Sequence, residues 1–372
     1  MPRVILSVTN DIATDQRVYK VALTLQKYGY DVEVVGRKLK NSLPVNHLPF
    51  KTKRFSLFFN KKVFFYAEYN LRLFFFLLFN KSDVLHANDL DTLLPNYLVS
   101  KIKGIPLVYD SHEYFCYVPE LIERPTVQKV WLAIEKAIFP KLKHVLTVNN
   151  SIARLYEQQY HVPVKVLKNV PYKSVYENRV IKSKKDLGLP EDKAIIILQG
   201  SGININRGAE EAVEAMQFID NAILLIIGGG DVFSNLQKIV LKHQLQEKVI
   251  LKNKMPFDEL IHFTFNATIG LSIDKPGNPN YENSLPNKLF DYIHAGIPVL
   301  VSPLHEVKKV VLQYNIGCVI DNHDPQHIAE KLNYMLNSGM AYQSWKENCK
   351  KAALENCWEN QEHVLKEIYQ SL

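Results

Sequence analysis

Short apolar runs rich in Val and Ile recur along this chain, and a helix-period pattern separates almost every successive pair. Residues 4–8, 31–35, 84–86, 107–110, 145–148 and 164–167 read as strands. In the first gap Thr14 is placed to cap a helix whose Val18, Val21, Ala22 and Leu25 share one face, and Gly29 stops it. Helical patterns also cover residues 62–79, 91–103, 126–139 and 151–160. Strands that read as nearly continuous apolar runs are buried on both faces. Alternation with helices then implies a parallel sheet covered on each side.

A second series of the same kind follows a charged, irregular stretch at residues 172–192. Its strands are expected at 195–199, 222–227, 249–251, 268–272, 298–302 and 318–320. Its helices are expected at 209–217, 232–243, 257–265, 287–294, 307–313 and 325–337. A polar helical stretch at 342–372 comes last. The length of 372 residues agrees with two domains at roughly 150 residues each. The expected division is 1–170, 171–345 and a final helix over 346–372. The fold class is therefore α/β, with two Rossmann-like doubly wound domains facing a cleft. Ligands of such sheets bind at the carboxyl ends of the strands.

Several classes fall away. No uncharged run approaches the ~18 apolar residues of a membrane helix; residues 73–80 are the best stretch. The start reaches Asp11 too soon for a signal peptide. None of the four cysteines forms a C-x-x-C pair, which disfavours zinc and thiol redox sites and suits a reduced, cytoplasmic setting.

The net charge of +7 is uneven. Residues 1–168 carry +10 and the remainder −3, so an anionic partner belongs to the first half. The excess peaks at 50–81, where seven cations face one acid, Glu68, among clustered Phe residues. One reading is a core helix whose rings face the sheet. The other is a peripheral contact with an anionic membrane surface, rings in the acyl boundary and cations on lipid phosphates. Nucleic acid is the weakest reading, and no nucleic-acid partner is expected.

The loops after strands hold the candidate chemistry. The first strand leads into Thr9-Asn10-Asp11 in place of G-x-G-x-x-G, which argues against a dinucleotide-binding first domain. Thr9 and Asn10 are candidates to hydrogen-bond an acceptor, as is His86 at the end of the third strand. Asp89 and Asp91 are expected to serve the first turn of the next helix rather than a metal. His112 follows the fourth strand, where a neutral imidazole suits a sugar hydroxyl.

In the second half, Gly200 and Arg207 lie on the first loop, and Gly228-Gly229-Gly230 reads as a tight turn. The stretch from Tyr281 to Val299 is the most informative. A polar loop enters a helix at Pro286, so amides near Ser284, Leu285 and Lys288 point at whatever occupies the helix start. Those amides, Lys288 and Arg207 make a pyrophosphate site that needs no metal.

That last segment resembles the signature of retaining GT-B-fold glycosyltransferases of family four, the group 1 glycosyltransferases. Their two acids, separated by seven residues, precede an A-G-x-P-V run, which matches Ala295-Gly296-Ile297-Pro298-Val299. The resemblance implies that Asp291 holds the donor ribose and that the sugar-contacting acid position falls on Asn283, with Glu282 beside it. It further implies that Arg207 takes the place of a phosphate-binding lysine and that His112 lies near the sugar. It implies a C-terminal helix crossing back to the first domain, which fits residues 342–372.

The expected activity is transfer of a hexose-type sugar from a nucleoside diphosphate sugar to a lipid-linked or saccharide acceptor. Anomeric configuration is retained, and neither cofactor nor metal takes part. A sugar-nucleotide epimerase of the same fold and a non-catalytic sugar-nucleotide-binding membrane scaffold are the alternatives.

Overall fold

The computed structural model describes residues 1–372, which form two compact units. Unit 1 is Met1–Asn169 with Gln361–Leu372, and unit 2 is Val170–Asn360.

Unit 1 carries a seven-stranded, all-parallel sheet in the order β3-β2-β1-β4-β5-β6-β7. The strands are β1 (Arg3–Asp11), β2 (Asp31–Lys38), β3 (Lys51–Ser56), β4 (Val84–Asn88), β5 (Leu107–Ser111), β6 (His144–Thr147) and β7 (Val164–Val166). The expected series lacked β3. Its sequence, Lys-Thr-Lys-Arg-Phe-Ser, buries only Phe55, because an edge strand is solvated along much of its length. Helix α1 (Gln16–Lys27) is capped by Asp15, whose side chain accepts from the Val18 N–H at 3.0 Å. Thr14 ends a preceding 3₁₀ turn instead. An aspartate at the cap also complements the helix dipole.

Helix α2 (Lys62–Phe79) buries Phe65, Tyr69, Leu73 and Leu77, a stripe at every fourth residue. The Tyr69 hydroxyl reaches the carbonyls of Val8 (2.5 Å) and Val35 (3.2 Å) and so ties α2 to the ends of β1 and β2. Helix α3 (Leu90–Lys103) packs beside α2.

Unit 2 repeats the plan with six parallel strands in the order β10-β9-β8-β11-β12-β13. These are β8 (Ala194–Gly200), β9 (Ala222–Gly228), β10 (Val249–Asn253), β11 (Ile269–Ser272), β12 (Val299–Val301) and β13 (Gly317–Val319). The winding direction reverses between β8 and β11, where ligands of open α/β sheets sit. Tyr292 wedges into that junction from the helix Asn287–His294. Its hydroxyl accepts from the Gln199 N–H at 3.1 Å and lies 3.3 Å from the carbonyls of both Ile197 and Leu271. Gly270 makes room for the ring, since a Cβ there would lie 2.4 Å from it.

The polar stretch at the end is two helices, not one. Gly339–Glu355 stays with unit 2, so the division expected at 345/346 does not separate the units. The chain breaks where Trp358 is fully buried against Tyr172 and donates its N–H to the Pro171 carbonyl at 2.8 Å. Glu362–Gln370 then packs on unit 1 through Leu365, Ile368 and Tyr369, with Lys27 paired to Glu362 at 2.5 Å.

Gly270→Ala is expected to lower stability by about 1–3 kcal/mol, the cost of overpacking a core, read as the urea midpoint. Gly339→Ala, where nothing lies within 4 Å of the added Cβ, serves as control and should leave the midpoint in place or raise it slightly. Equal midpoints for both variants would contradict the wedge.

Candidate active site

In unit 2 the loops after β8 and β11 meet. Arg207 lies between Asn206 and Gly208, both at positive φ (66° and 74°). A Cβ on Gly208 would stand 2.3 Å from the Ile273 carbonyl, so the two loops touch only because that side chain is missing. Gly228 and Gly230 serve the same end. Added Cβ atoms there would lie 2.0 Å from the carbonyls of Gly200 and Ile203 respectively. The Gly228-Gly229-Gly230 turn is therefore the seat of the first loop. Gly200 itself is uncrowded, its nearest neighbour to an added Cβ being 3.8 Å away.

The centre of this site is a residue that sequence reasoning passed over. Asp274 follows β11, is only 1% exposed, and holds two cations. Arg207 Nη1 donates to one carboxylate oxygen at 3.1 Å, and Lys288 Nζ lies 3.6 Å from the other. Tyr281 stacks under the guanidinium at 4.3 Å. Burial pushes the Lys288 ammonium below its ordinary value, and Asp274 counters part of that shift. One carboxylate against two cations leaves a net positive charge at the start of the helix Asn287–His294, where its free amides add partial positive charge. The arrangement suits a phosphorylated anion. The signal that would have found Asp274 is its place: an acid two residues past the strand that borders the sheet's reversal.

The neighbouring candidates occupy the same rim. Asp291 accepts from the Tyr176 hydroxyl at 2.8 Å and from Gln199 Nε2 at 3.2 Å, and remains half-buried. Glu282 is exposed and closes its own loop by accepting from the Gly277 N–H at 2.9 Å. Asn283 donates to the Pro279 carbonyl at 2.8 Å, and Ser284 to the Tyr281 carbonyl at 3.0 Å. Leu285 packs on the core beside Leu289 and Phe290.

Unit 1 gathers a second cluster after β4 and β5. Arg17 reaches across from α1 and grips fully buried Asp110 with two nitrogens, at 2.9 and 2.6 Å. His112 stands between carboxylates. Its Nδ1 is 3.2 Å from Asp89, and its Nε2 is 3.5 Å from Asp110 and 3.2 Å from Asn88 Oδ1. Burial alone would lower its pKa, but Asp89 and Asp110 outweigh that and raise it to about 9. The imidazole is therefore charged at neutral pH, not neutral as the sequence suggested. Asp110 is held well below the carboxylate range, against its burial, by Arg17 and His112.

Asp89 takes φ +60°, a left-handed value that costs a non-glycine residue of order 1–3 kcal/mol. It precedes α3 without capping it, because its carboxylate accepts from the His112 N–H at 2.8 Å. Asp91 is buried and accepts from the Thr9 hydroxyl at 2.5 Å. Burial and nearby Asp89 push its carboxyl up to about 7.

Three acceptor-side expectations meet different surroundings. Thr9 is buried with its hydroxyl committed to Asp91. Asn10 is exposed and donates to Asp15 at 3.2 Å, a contact within its own turn. His86 is fully buried, so no acceptor reaches it. Its Nδ1 meets the Tyr369 hydroxyl at 2.8 Å, and burial lowers its pKa and keeps the ring neutral. It anchors the final helix. Arg17 and Asp110 are the residues here that motif reasoning left out, and Asp89, expected to serve the first turn of α3, serves His112 instead. A charged side chain on the apolar face of α1 was the available signal for Arg17.

Substituting His112 by Gln should reveal the imidazolium. Its stabilising pairing is complete below the unfolded value of 6.5 and disappears as pH climbs through about 9. The stability gap between wild type and His112→Gln, measured in urea, should therefore narrow across that interval. A gap independent of pH would contradict the charged state.

A family model described as glycosyl transferases group 1 matches residues 180–352, and one described as glycosyltransferase family 4 matches residues 15–170. A D-inositol 3-phosphate glycosyltransferase of Acidothermus cellulolyticus is 23% identical over 172 residues, which span 43% of this chain and 37% of that protein. Among solved structures, sucrose-phosphate synthase from Thermosynechococcus elongatus superposes with a TM-score of 0.83 at 16% identity, covering 100% of this chain and 99% of the other. WaaG, a glycosyltransferase involved in lipopolysaccharide biosynthesis, gives 0.77 at 17% identity, covering 98% and 99%. HepE from Anabaena, in complex with UDP-glucose, gives 0.76 at 13%, covering each chain fully. The chain thus carries a family 4 glycosyltransferase domain over residues 15–170 and a group 1 glycosyl transferase domain over residues 180–352, together in a glycosyltransferase of GT-B architecture.

Proposed function

We propose that the protein moves a hexose-type sugar from a nucleoside diphosphate sugar to an acceptor hydroxyl, with retention of anomeric configuration, in the synthesis of a cell-envelope polysaccharide or glycolipid. The reading rests chiefly on one observation: Arg207 and Lys288 converge on Asp274 at the reversal of the second sheet, beside the start of a helix. Unit 2 is the donor unit in this reading, and unit 1 the acceptor unit. That the fold neighbour HepE forms complexes with UDP and with UDP-glucose supports a donor of this class.

The donor's two phosphates lie against Arg207, Lys288 and the amides of residues 284–288. Both cations are already oriented by Asp274, so little reorganisation accompanies charge development on the departing diphosphate. No metal is needed, because the pocket supplies its own positive charge. Asp291, steadied by Tyr176 and Gln199, retains acceptor capacity for a ribose hydroxyl. Glu282 holds its loop through Gly277, which leaves the sugar-contacting role to Asn283. In unit 1 the charged His112 is a hydrogen-bond donor and, as an imidazolium, not a base. The proton of the attacking hydroxyl passes to an oxygen of the leaving phosphate on the same face of the sugar. The acceptor is lipid-linked or saccharide, and the reaction takes place in the cytoplasm.

Arg207→Ala and Lys288→Ala should each weaken UDP binding by about 1.5–3 kcal/mol in calorimetry, the scale of a hydrogen bond to a charged group. Melting curves check that each variant folds. Binding and transfer should persist in EDTA. Unaltered affinity in both folded variants, or loss of binding on chelation, would overturn the phosphate site. A thermal-shift series over UDP-, GDP-, ADP- and CMP-sugars identifies the donor, since a ligand of the native state raises its melting temperature.

A further inference from the structure

Helix α2 is apolar on two faces. Its buried stripe faces the sheet, while Leu71, Phe75 and Phe79 are exposed at every fourth residue on the far side. Helix α3 repeats the device with exposed Leu94, Leu98 and Ile102. The two helices run side by side in the same direction. Asn70 donates to the Asp91 carbonyl at 2.9 Å, and about three turns on Lys103 donates to the Asn80 carbonyl at 2.5 Å. The exposed stripes therefore lie on one flank of unit 1.

A loop before α2 enlarges this flank. Phe58 is 85% exposed, and Phe59 and Phe64 pack ring to ring at 5.4 Å in solvent. The loop is not slack. The sole acid of residues 50–81, Glu68, accepts from the N–H groups of Phe58 (3.0 Å) and Phe59 (2.9 Å). Glu68 is also paired with Arg72 at 2.7 Å, and Arg72 lies over the Phe58 ring at 5.4 Å. The only negative charge of the stretch is thus neutralised in the act of presenting two phenylalanines. Lys61 and Lys62 at the start of α2, Lys81 just past its end and Lys101 in the last turn of α3 are all exposed. So many large exposed apolar side chains on neighbouring elements mark an interaction site. Rings interleaved with lysines match an interface that is apolar below and phosphate-rich above.

We propose that unit 1 docks peripherally on an anionic lipid bilayer through this flank: the loop at 57–61 and the exposed stripes of α2 and α3. The structure offers no helix long and apolar enough to cross a membrane, and the docking needs none. The phenylalanines enter the headgroup boundary, and the lysines meet lipid phosphates. The inference extends the lipid-linked acceptor proposed above by naming the surface that brings the enzyme to it.

The test is cosedimentation of the full chain, without donor, with vesicles of phosphatidylcholine alone and of equal parts phosphatidylcholine and phosphatidylglycerol. Wild type should bind the acidic vesicles, bind the neutral ones weakly, and release as salt is raised. The variant F58S/F75S/F79S/L98S should partition at least about tenfold less. The charge variant K61E/K62E should lose a comparable amount by an independent route. All substituted residues are exposed, and UDP affinity of each variant should equal that of wild type. Failure here is thus distinct from failure of the donor site. Equal binding to both vesicle types, binding to neither, or undiminished binding by both variants would overturn the proposal. So would sedimentation showing that wild type self-associates through these residues and leaves vesicles unbound.

Discussion

A single buried carboxylate sets the terms of unit 2. Asp274 holds Arg207 and Lys288 where they would otherwise repel each other and seek water. Desolvating two cations beside one another costs several kcal/mol unless a counter-charge is present, so neither could sit at the end of the sheet without it. The carboxylate in turn depends on the sheet. It follows β11, and β11 is fixed against β8 by Tyr292, whose ring fills the space that Gly270 leaves. The site is accordingly as rigid as the core beneath it, a requirement for stabilising charge that appears only during reaction.

Unit 1 solves a related problem with the signs reversed. Asp89 and Asp110 converge behind strand ends, and Arg17 and His112 balance them. The cost is visible in the backbone at Asp89 and in the elevated carboxyl of Asp91. Both clusters are polar networks whose members are held from several elements at once. Such networks favour one arrangement of side chains over many.

The parallel strands were legible because burial on both faces leaves unbroken apolar runs, and the helices because one face of each is apolar. Helices Lys62–Phe79, Phe257–Phe265, Asn287–His294 and Pro325–Asn337 begin and end at the residues their patterns indicate. Strand β3 was illegible because a solvated edge permits Lys and Arg, and local pattern then carries no hydrophobic period. At the candidate site, Arg207 and Lys288 could be picked out from a motif. Their common partner could not, since Asp274 lies 67 residues from Arg207 and only the folded sheet brings them together. The same holds for Arg17 and Asp110, which are 93 residues apart. His86 and Thr9 show the opposite error: residues of suitable type at strand ends turned inward, because small adjustments in the pleat decide which side of the sheet a polar group meets.

The ring of Tyr369, seated against His86, has a bearing on how the molecule is made. A ribosome releases Met1–Asn169 long before residues 361–372 exist, so the sheet that emerges first is left with the His86 imidazole facing an empty berth. Its closing helix arrives only after all of Val170–Asn360 has been translated. The usual progression, in which each domain matures as it leaves the exit tunnel, is therefore inverted here: the later-born half has every residue it needs before the earlier one does.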